Sequence, residues 1–361
     1  SGNHHLFCLG TDGLSPVKVI DLKLGDYVAG IKEVHLNLPV RYGDNIARFM
    51  GYCTGDGHVN LDNRSVSIYD QKKNFIEYYL SLLPYKGTIK PTKADCWCGK
   101  VSSLELCRFL KDLAIKSKFR RVPSGIMTAS NSEIAQFIAG FYDAEGWDFC
   151  FSSSSKELII DIQNLLLRLG IESHWYKYPV RRIPPGAKKR VYSIFYNLYC
   201  CNQLDFARLI PCLKNVSHAK QENPPKYPIQ PFVRTLKNAP KKYRAGFHYL
   251  GRFLKNPVEP VNLERIIKAY EALASDFPKY TPQLQILRSL PSLNITWLKV
   301  EEIKSRKHLS MPVYDFTVDT VGRYIANGFI THNSLAVSWL ELAGSDVGKQ
   351  KALQMHLGHK N

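Results

Sequence analysis

Apolar and polar residues alternate through VKVIDLKLGDYV, residues 17–28, and the period of two predicts a β-rich segment over the first 34 residues. From Asn45 the spacing turns helical, and mixed helix and strand continue to about Leu213. The prolines of NPPKYPIQP, 223–231, read as a linker. Residues 241–289 read as basic and helical, most clearly Leu263 to Phe277, where Leu263, Ile266, Ile267, Tyr270 and Leu273 share one face. Strand patterns return in WLKVEEI, VYDFTVD and RYIANGFIT, between Trp297 and Thr331. Two β-rich ends therefore bracket a mixed middle.

The middle repeats itself. FMGYCTGDG, Phe49 to Gly57, aligns without a gap on IAGFYDAEG, Ile138 to Gly146. Strand-like SVSIYD (65–70) and FCFSSSS (149–155) follow, then the apolar-periodic FIEYYLSLL (75–83) and LIIDIQNLLLRLG (158–170). Both copies end in a helix, LELCRFLKDL (104–113) and LDFARLIPCL (204–213), so each predicts an αββαββα unit. Asp56 and Glu145 fall at the last position of the apolar helix, before a C-cap glycine, Gly57 or Gly146. A carboxylate there opposes the helix dipole by about 0.3–1 kcal/mol. The same rule is broken twice at matching positions, and a divalent cation would turn two repelling carboxylates into ligands. Gly51 in one copy and Ala139-Gly140 in the other are small enough for the two helices to pack closely, which would bring the acidic ends together.

The 361 residues suggest two or three domains, and a 45% hydrophobic content is enough for buried cores. A formal charge of +18 makes a polyanion, nucleic acid first, the expected partner. The N-terminus lacks the zones of a signal peptide, and no apolar run approaches the roughly 20 residues that span a bilayer. A soluble, cytoplasmic protein without a membrane partner is expected. Nine cysteines, scattered through apolar contexts, suit reduced core thiols. Cys96-Trp97-Cys98 has no second pair at finger spacing, which argues against zinc.

The two nine-residue stretches resemble the motif that names the LAGLIDADG (DOD-type) homing endonucleases. IAGFYDAEG is close to it, and FMGYCTGDG keeps Gly51, Asp56 and Gly57. The resemblance covers about Asn45 to Leu213. It implies a monomer with pseudo-twofold symmetry, two sheets laid over double-stranded DNA, and cleavage of both strands with Mg²⁺ or Mn²⁺. Carried over, Asp56 and Glu145 become the catalytic, metal-binding carboxylates, and Gly51 and Gly140 the helix-packing residues. Asp143 is a weaker candidate, since Thr54 stands at the matching position. A basic residue from a sheet strand also belongs near the metals, and Lys93, Lys100 and Lys188 to Arg190 all remain open. The clusters KSKFRR (116–121), with Lys118, Arg120 and Arg121, and RRIPPGAKKR (181–190), with Arg181, Arg182, Lys188, Lys189 and Arg190, suit phosphate contacts, as does KKYR (241–244). Tyr176, Tyr178, Tyr192 and Asn197 alternate on strands from which base edges could be read.

The ends resemble a second family. SGNHHLF followed by DGLSPVKVIDLKLGDYV is similar to the intein segment with a Thr/Ser-x-x-His signature, carried here by Ser1 and His4. VYDFTVDTVGRYIANGFITHNS is similar to the intein C-terminal segment. The resemblance implies that the Asn333 side chain attacks its own carbonyl to form a succinimide, that His332 assists, that Ser334 is the following nucleophile, and that Asp315 is the segment's acid. An imidazole that moves protons near neutral pH and a hydroxyl that accepts acyl groups suit those steps. Gly322 stands where many members have a second histidine. The upstream junction nucleophile should precede the signature, so Cys8 does not fill that role, and only C-terminal cleavage at Asn333 is expected of this chain. SLAVSWLELAGSDVGKQKALQMHLGHKN would then be host protein. It resembles the tyrosine recombinase (phage integrase) segment that ends in LGH, with His359 as the host's active-site histidine.

The expected architecture is α+β: a LAGLIDADG endonuclease of two pseudo-symmetric αββαββα repeats inserted in a β-rich Hint (intein) splicing domain. The expected boundaries are 1–38 for the N-terminal splicing part and 39–222 for the endonuclease, with repeats at about 45–115 and 134–215. A linker and basic helical segment follows at 223–296, then the C-terminal splicing part at 297–333 and the host extein at 334–361. The rival readings are a cleavage-inactive DNA-binding or RNA-splicing helper of the same fold, and a remnant that only processes itself.

Overall fold

The computed structural model describes residues 4–34, 36, 38–92, 95–182, 191–220, 225–244, 250–303, 323–326 and 329–332. The chain divides into two compact units, Ser1–Ile31 with Asn223–Asn361, and Lys32–Glu222. Among the described residues no helix is long and apolar enough to cross a membrane.

The first unit opens with three strands, β1 (His5–Gly10), β2 (Gly13–Lys18) and β3 (Tyr27–Ile31). β1 and β2 form an antiparallel hairpin in which Gly10 faces Gly13, and the tight turn needs the φ of +104° that Gly13 supplies.

The second unit follows one chain path twice. The first pass is α1 (Asp44–Asp56), β4 (Gly57–Asn60), β5 (Ser65–Asp70), α2 (Lys73–Ser81), β6 (Gly87–Pro91), β7 (Trp97–Ser102) and α3 (Leu104–Phe109). A short α4 (Ser124–Met127) leads to the second pass. It comprises α5 (Asn131–Glu145), β8 (Gly146–Trp147), β9 (Cys150–Ser153), α6 (Lys156–Arg168), β10 (Ser173–Arg182), β11 (Val191–Cys200) and α7 (Gln203–Leu209). The sheets have the same strand order, β4-β5-β7-β6 and β8-β9-β11-β10. The fold is α+β with two αββαββα repeats, as the pattern predicts. One apolar core runs through both, built on residues such as Phe49, Tyr52, Ile76, Phe137, Phe141 and Leu165.

The two repeats join where α1 lies against α5. A Cβ added at Gly51 would fall 1.9 Å from the Phe137 carbonyl oxygen, and one at Gly140 would fall 2.0 Å from the Arg48 carbonyl oxygen. Each glycine admits the other helix's backbone, and no larger residue fits. At the other end of α5, Ser130 and Glu133 form a capping box. The buried Glu133 carboxylate also accepts the backbone N–H groups of Arg41, Tyr42 and Gly43, which lead into α1. Burial opposes its ionisation, but the N–H donors, Tyr42 foremost, outweigh it and hold the pKa down at about 2.

The first unit resumes with α8 (Gln230–Asn238), α9 (Leu250–Phe253), α10 (Pro260–Asp276) and α11 (Thr281–Ser289). Then come β12 (Ile295–Lys299), β13 (Arg323–Ala326) and β14 (Phe329–His332). The sheet runs β12-β3-β14-β1-β2, with β13 on β14. The face expected on α10 is its buried one, with Ala269 and Ala274 added and Ile267 only partly buried. It packs on Ile229, Phe232, Val233 and Leu236, and Leu9 of β1 belongs to the same cluster. VYDFTVD lies outside the described residues.

Candidate functional site

α1 and α5 both end on an acid, Asp56 and Glu145, and pass directly into a strand. The glycines that follow do occupy the C-cap, but not in the left-handed conformation usual there. Gly57 has φ −94°, ψ 150° and Gly146 φ −88°, ψ 149°, both extended. Space is what excludes a side chain: a Cβ would lie 2.5 Å from the Cys53 carbonyl oxygen at Gly57 and 2.2 Å from the Tyr142 ring at Gly146. The helix ends touch, since a Cβ on Gly55 would lie 2.5 Å from Ala144 Cβ and 2.8 Å from Glu145 Cγ. Burial first, then the charges of Glu145 and Asp70, push Asp56 up to about 7. Burial also raises Glu145, against the pull of Lys214 and Arg120.

Those two cations complete the site. Arg120 donates through Nη1 to the carbonyls of Thr54 and Gly55, each at 2.8 Å, and through Nη2 to Gly57 at 2.7 Å. Lys214 Nζ donates to the Gly146 carbonyl at 2.8 Å and to Ala144 at 3.2 Å. Each repeat thus lays one cation across the carbonyl end of its acid-bearing helix, where the dipole is negative. Burial lowers the pKa of both cations. The expectation of a strand-borne lysine differs from this arrangement, because both cations come from loops that follow the last helix of a repeat. Lys214 has a legible signal only in retrospect, as a basic residue just past LDFARLIPCL.

The acids suit a divalent cation in charge and in position, as two carboxylates held together against burial and mutual repulsion. Among the described residues no group of three or more His, Cys, Asp or Glu could hold a metal ion, so further ligands would come from water and from a bound anion. Beside Glu145 runs a groove of about 760 Å³ lined by Lys116, Lys118, Ser152, Ser153, Ser154 and Phe195, a mixed cationic and hydroxyl surface.

Other expected site residues go elsewhere. Asp143 is fully buried and takes donors from Arg48 and Tyr79. Arg120 is turned inward onto backbone carbonyls, and Arg121, an exposed residue, forms a bidentate pair with Asp161 at 2.6 and 2.7 Å. Lys118 and Lys100 are exposed. Tyr176 and Tyr178 are exposed on β10, whereas Asn197 is buried, accepts from Ser152 and donates to Tyr176. Arg181 and Arg182 lie on β10, and Tyr192 on β11, with side chains not described. Lys93, Lys188, Lys189 and Arg190 lie outside the described residues.

In the first unit, β1 pairs antiparallel with β14 so that Leu6 faces Thr331. This register brings the His4 end of β1 and the His332 end of β14 to the same edge of the sheet. The His4 carbonyl accepts the Val19 N–H at 2.8 Å. Ser1, Asp315, Gly322, Asn333, Ser334 and His359 lie outside the described residues.

Residues 1–333 match the family described as Intein splicing domain. The chain belongs to that family. Curated relatives of this intein include reverse gyrase of Pyrococcus horikoshii, 32% identical over 386 residues, 92% of this chain and 21% of that protein. Another is the glutamine–fructose-6-phosphate aminotransferase (isomerizing) of Methanocaldococcus jannaschii, 23% identical over 335 residues, 84% of this chain and 29% of that protein. The intein therefore spans less than a third of either relative. Among solved structures, mesophilic variants of the homing endonuclease I-DmoI are 19% identical over 48% of this chain and 99% of theirs, with a TM-score of 0.33. Full-length DUF199/WhiA from Thermatoga maritima is 11% identical over 71% of this chain and 94% of its own, with a TM-score of 0.34.

Proposed function

We propose that the intein carries a DNA endonuclease in residues 39–222 and cleaves both strands of a duplex by metal-assisted hydrolysis. What carries this reading is the acid pair, Asp56 and Glu145, at two touching helix ends, each end crossed by a half-buried cation. Bound between the acids, Mg²⁺ or Mn²⁺ would neutralise charge on the attacking and leaving oxygens. Asp56 and Glu145 are the residues that would hold it, against a scissile phosphate. Lys214 and Arg120 keep the carbonyl ends from repelling that phosphate, and their charges favour both acids as carboxylates. Lys116 and Lys118 contact the phosphates that place the duplex, and the exposed Tyr176 and Tyr178 face its bases. The fold's internal repetition suits a monomer that reads a long, two-part site.

The experiment is cleavage of a supercoiled plasmid bearing the host coding sequence joined without the insert. Wild type with Mg²⁺ linearises it, and Asp56→Asn and Glu145→Gln do not. A wild type that leaves this plasmid intact overturns the reading in favour of a DNA-binding or RNA-splicing helper.

The splicing residues support a second activity in the same chain. We expect cleavage after Asn333 by succinimide formation, with His332, His4 and Asp315 as the assisting residues that the intein resemblance implies, releasing a segment that starts at Ser334. That the matched relatives are proteins of unrelated function, each of which the intein covers only in part, fits an element inserted into different hosts. The resemblance of residues 334–361 to tyrosine recombinases makes such an enzyme the host in cis.

A further inference from the structure

Asp143 lies two positions before Glu145 and takes no part in the pair. It is fully buried, and its carboxylate accepts from donors on both oxygens. Oδ2 accepts from Tyr79 Oη at 2.6 Å and Arg48 Nη2 at 3.1 Å. Oδ1 accepts two successive backbone N–H groups, Leu213 at 2.7 Å and Lys214 at 3.0 Å. The same carboxylate therefore grips α1 through Arg48, α2 through Tyr79, and the loop from which the Lys214 ammonium reaches the carbonyls of Ala144 and Gly146. A lysine stem is flexible, and a donor that must sit at one place needs its backbone fixed.

The other repeat shows that this is not a property of the helix. At the position of Asp143 stands Thr54, whose hydroxyl turns back to the Met50 carbonyl at 2.8 Å. The loop bearing Arg120 is anchored from α6 instead, by Ser155 Oγ on the Arg120 carbonyl at 2.7 Å and by Asp161 on Arg121 and on the Val122 N–H. The two cations reach matching places by different supports.

We propose that Asp143 is a positioning residue for the proposed cleavage, fixing the Lys214 backbone so that its ammonium stays at the Glu145 end of α5. The inference rests on the endonuclease reading for its effect on rate, but not for its structural part. Asp143→Asn alone leaves Arg48 without a counter-ion, so the test uses Asp143→Asn with Arg48→Met, beside Lys214→Met and the triple variant. Amide hydrogen exchange supplies a readout independent of activity. In the double variant the amides of Leu213 and Lys214 exchange at least tenfold faster than in wild type, while those of α5 stay protected. On the plasmid, kcat falls at least tenfold with KM for DNA unchanged, and adding Lys214→Met lowers it no further. Unchanged exchange at residues 213 and 214, or a triple variant whose loss is the product of the separate losses, overturns the proposal. A wild type that never cuts counts against the endonuclease reading, and exchange then decides the positioning role by itself.

Discussion

Asp56 and Glu145 sit where burial disfavours ionisation, at Asp56 with the charges of Glu145 and Asp70 adding to it, and that cost is built into the native state without a bound cation. Removing one of the charges removes repulsion, so Asp56→Asn should gain about 1 kcal/mol and unfold roughly 2–4 °C above wild type in EDTA. Adding Mg²⁺ with DNA should raise wild type alone and close that gap. Calorimetry checks both, and a variant less stable than wild type in EDTA would show that the Asp56 charge is not under strain. Glu133 is the opposite case, a carboxylate whose ionised form is held by N–H donors. Its folded pKa of about 2 lies below the ordinary 4.5, so its contribution is complete above pH 4.5 and is lost as pH falls toward 2. Glu133→Gln should cost about 2–3 kcal/mol at pH 7 and flatten the acid limb of stability, as urea titrations at several pH values would read.

At the scale of elements, the joint between the repeats depends on two glycines and on nothing that could substitute for them. Gly51→Ala or Gly140→Ala must drive a methyl into a facing carbonyl, and separation of α1 from α5 should cost about 3 kcal/mol or more. Denaturant melts check the cost, and cleavage should fall with it because the acids part. The glycines, the acids and both αββαββα paths were legible because they are local: one gap-free repeat carries them, and the period of the apolar residues sets the elements. The Glu133 anchor was not, since its partners lie about ninety positions away and are backbone N–H groups that no side-chain pattern records. Lys214 escaped for a related reason. Its role comes from carbonyls at the end of another element, and among so many lysines a single one gives no signal. The KSKFRR cluster misled in part, because charge marks a cation without saying what its donors meet: Arg120 turns to backbone carbonyls, and the exposed Arg121 pairs with a carboxylate.

The whole molecule divides into two compact units, and each of the two proposed chemistries belongs to one of them. The splicing unit is assembled from both ends of the sequence, and the pairing of β1 with β14 is what gathers His4 and His332 at one edge. A purified chain kept at neutral pH should therefore release a fragment ending at Asn333, seen by intact mass, and Asn333→Ala should abolish it. An unchanged mass after long incubation would count against C-terminal cleavage. In the other unit, the proposed cleavage requires that the two helix-end acids share a cation on DNA. Anomalous diffraction from the DNA-bound protein in Mn²⁺ addresses it most directly. A manganese peak is expected about 2.0–2.2 Å from carboxylate oxygens of Asp56 and Glu145 and from a phosphate oxygen. Manganese ordered on the DNA but away from both acids would contradict it.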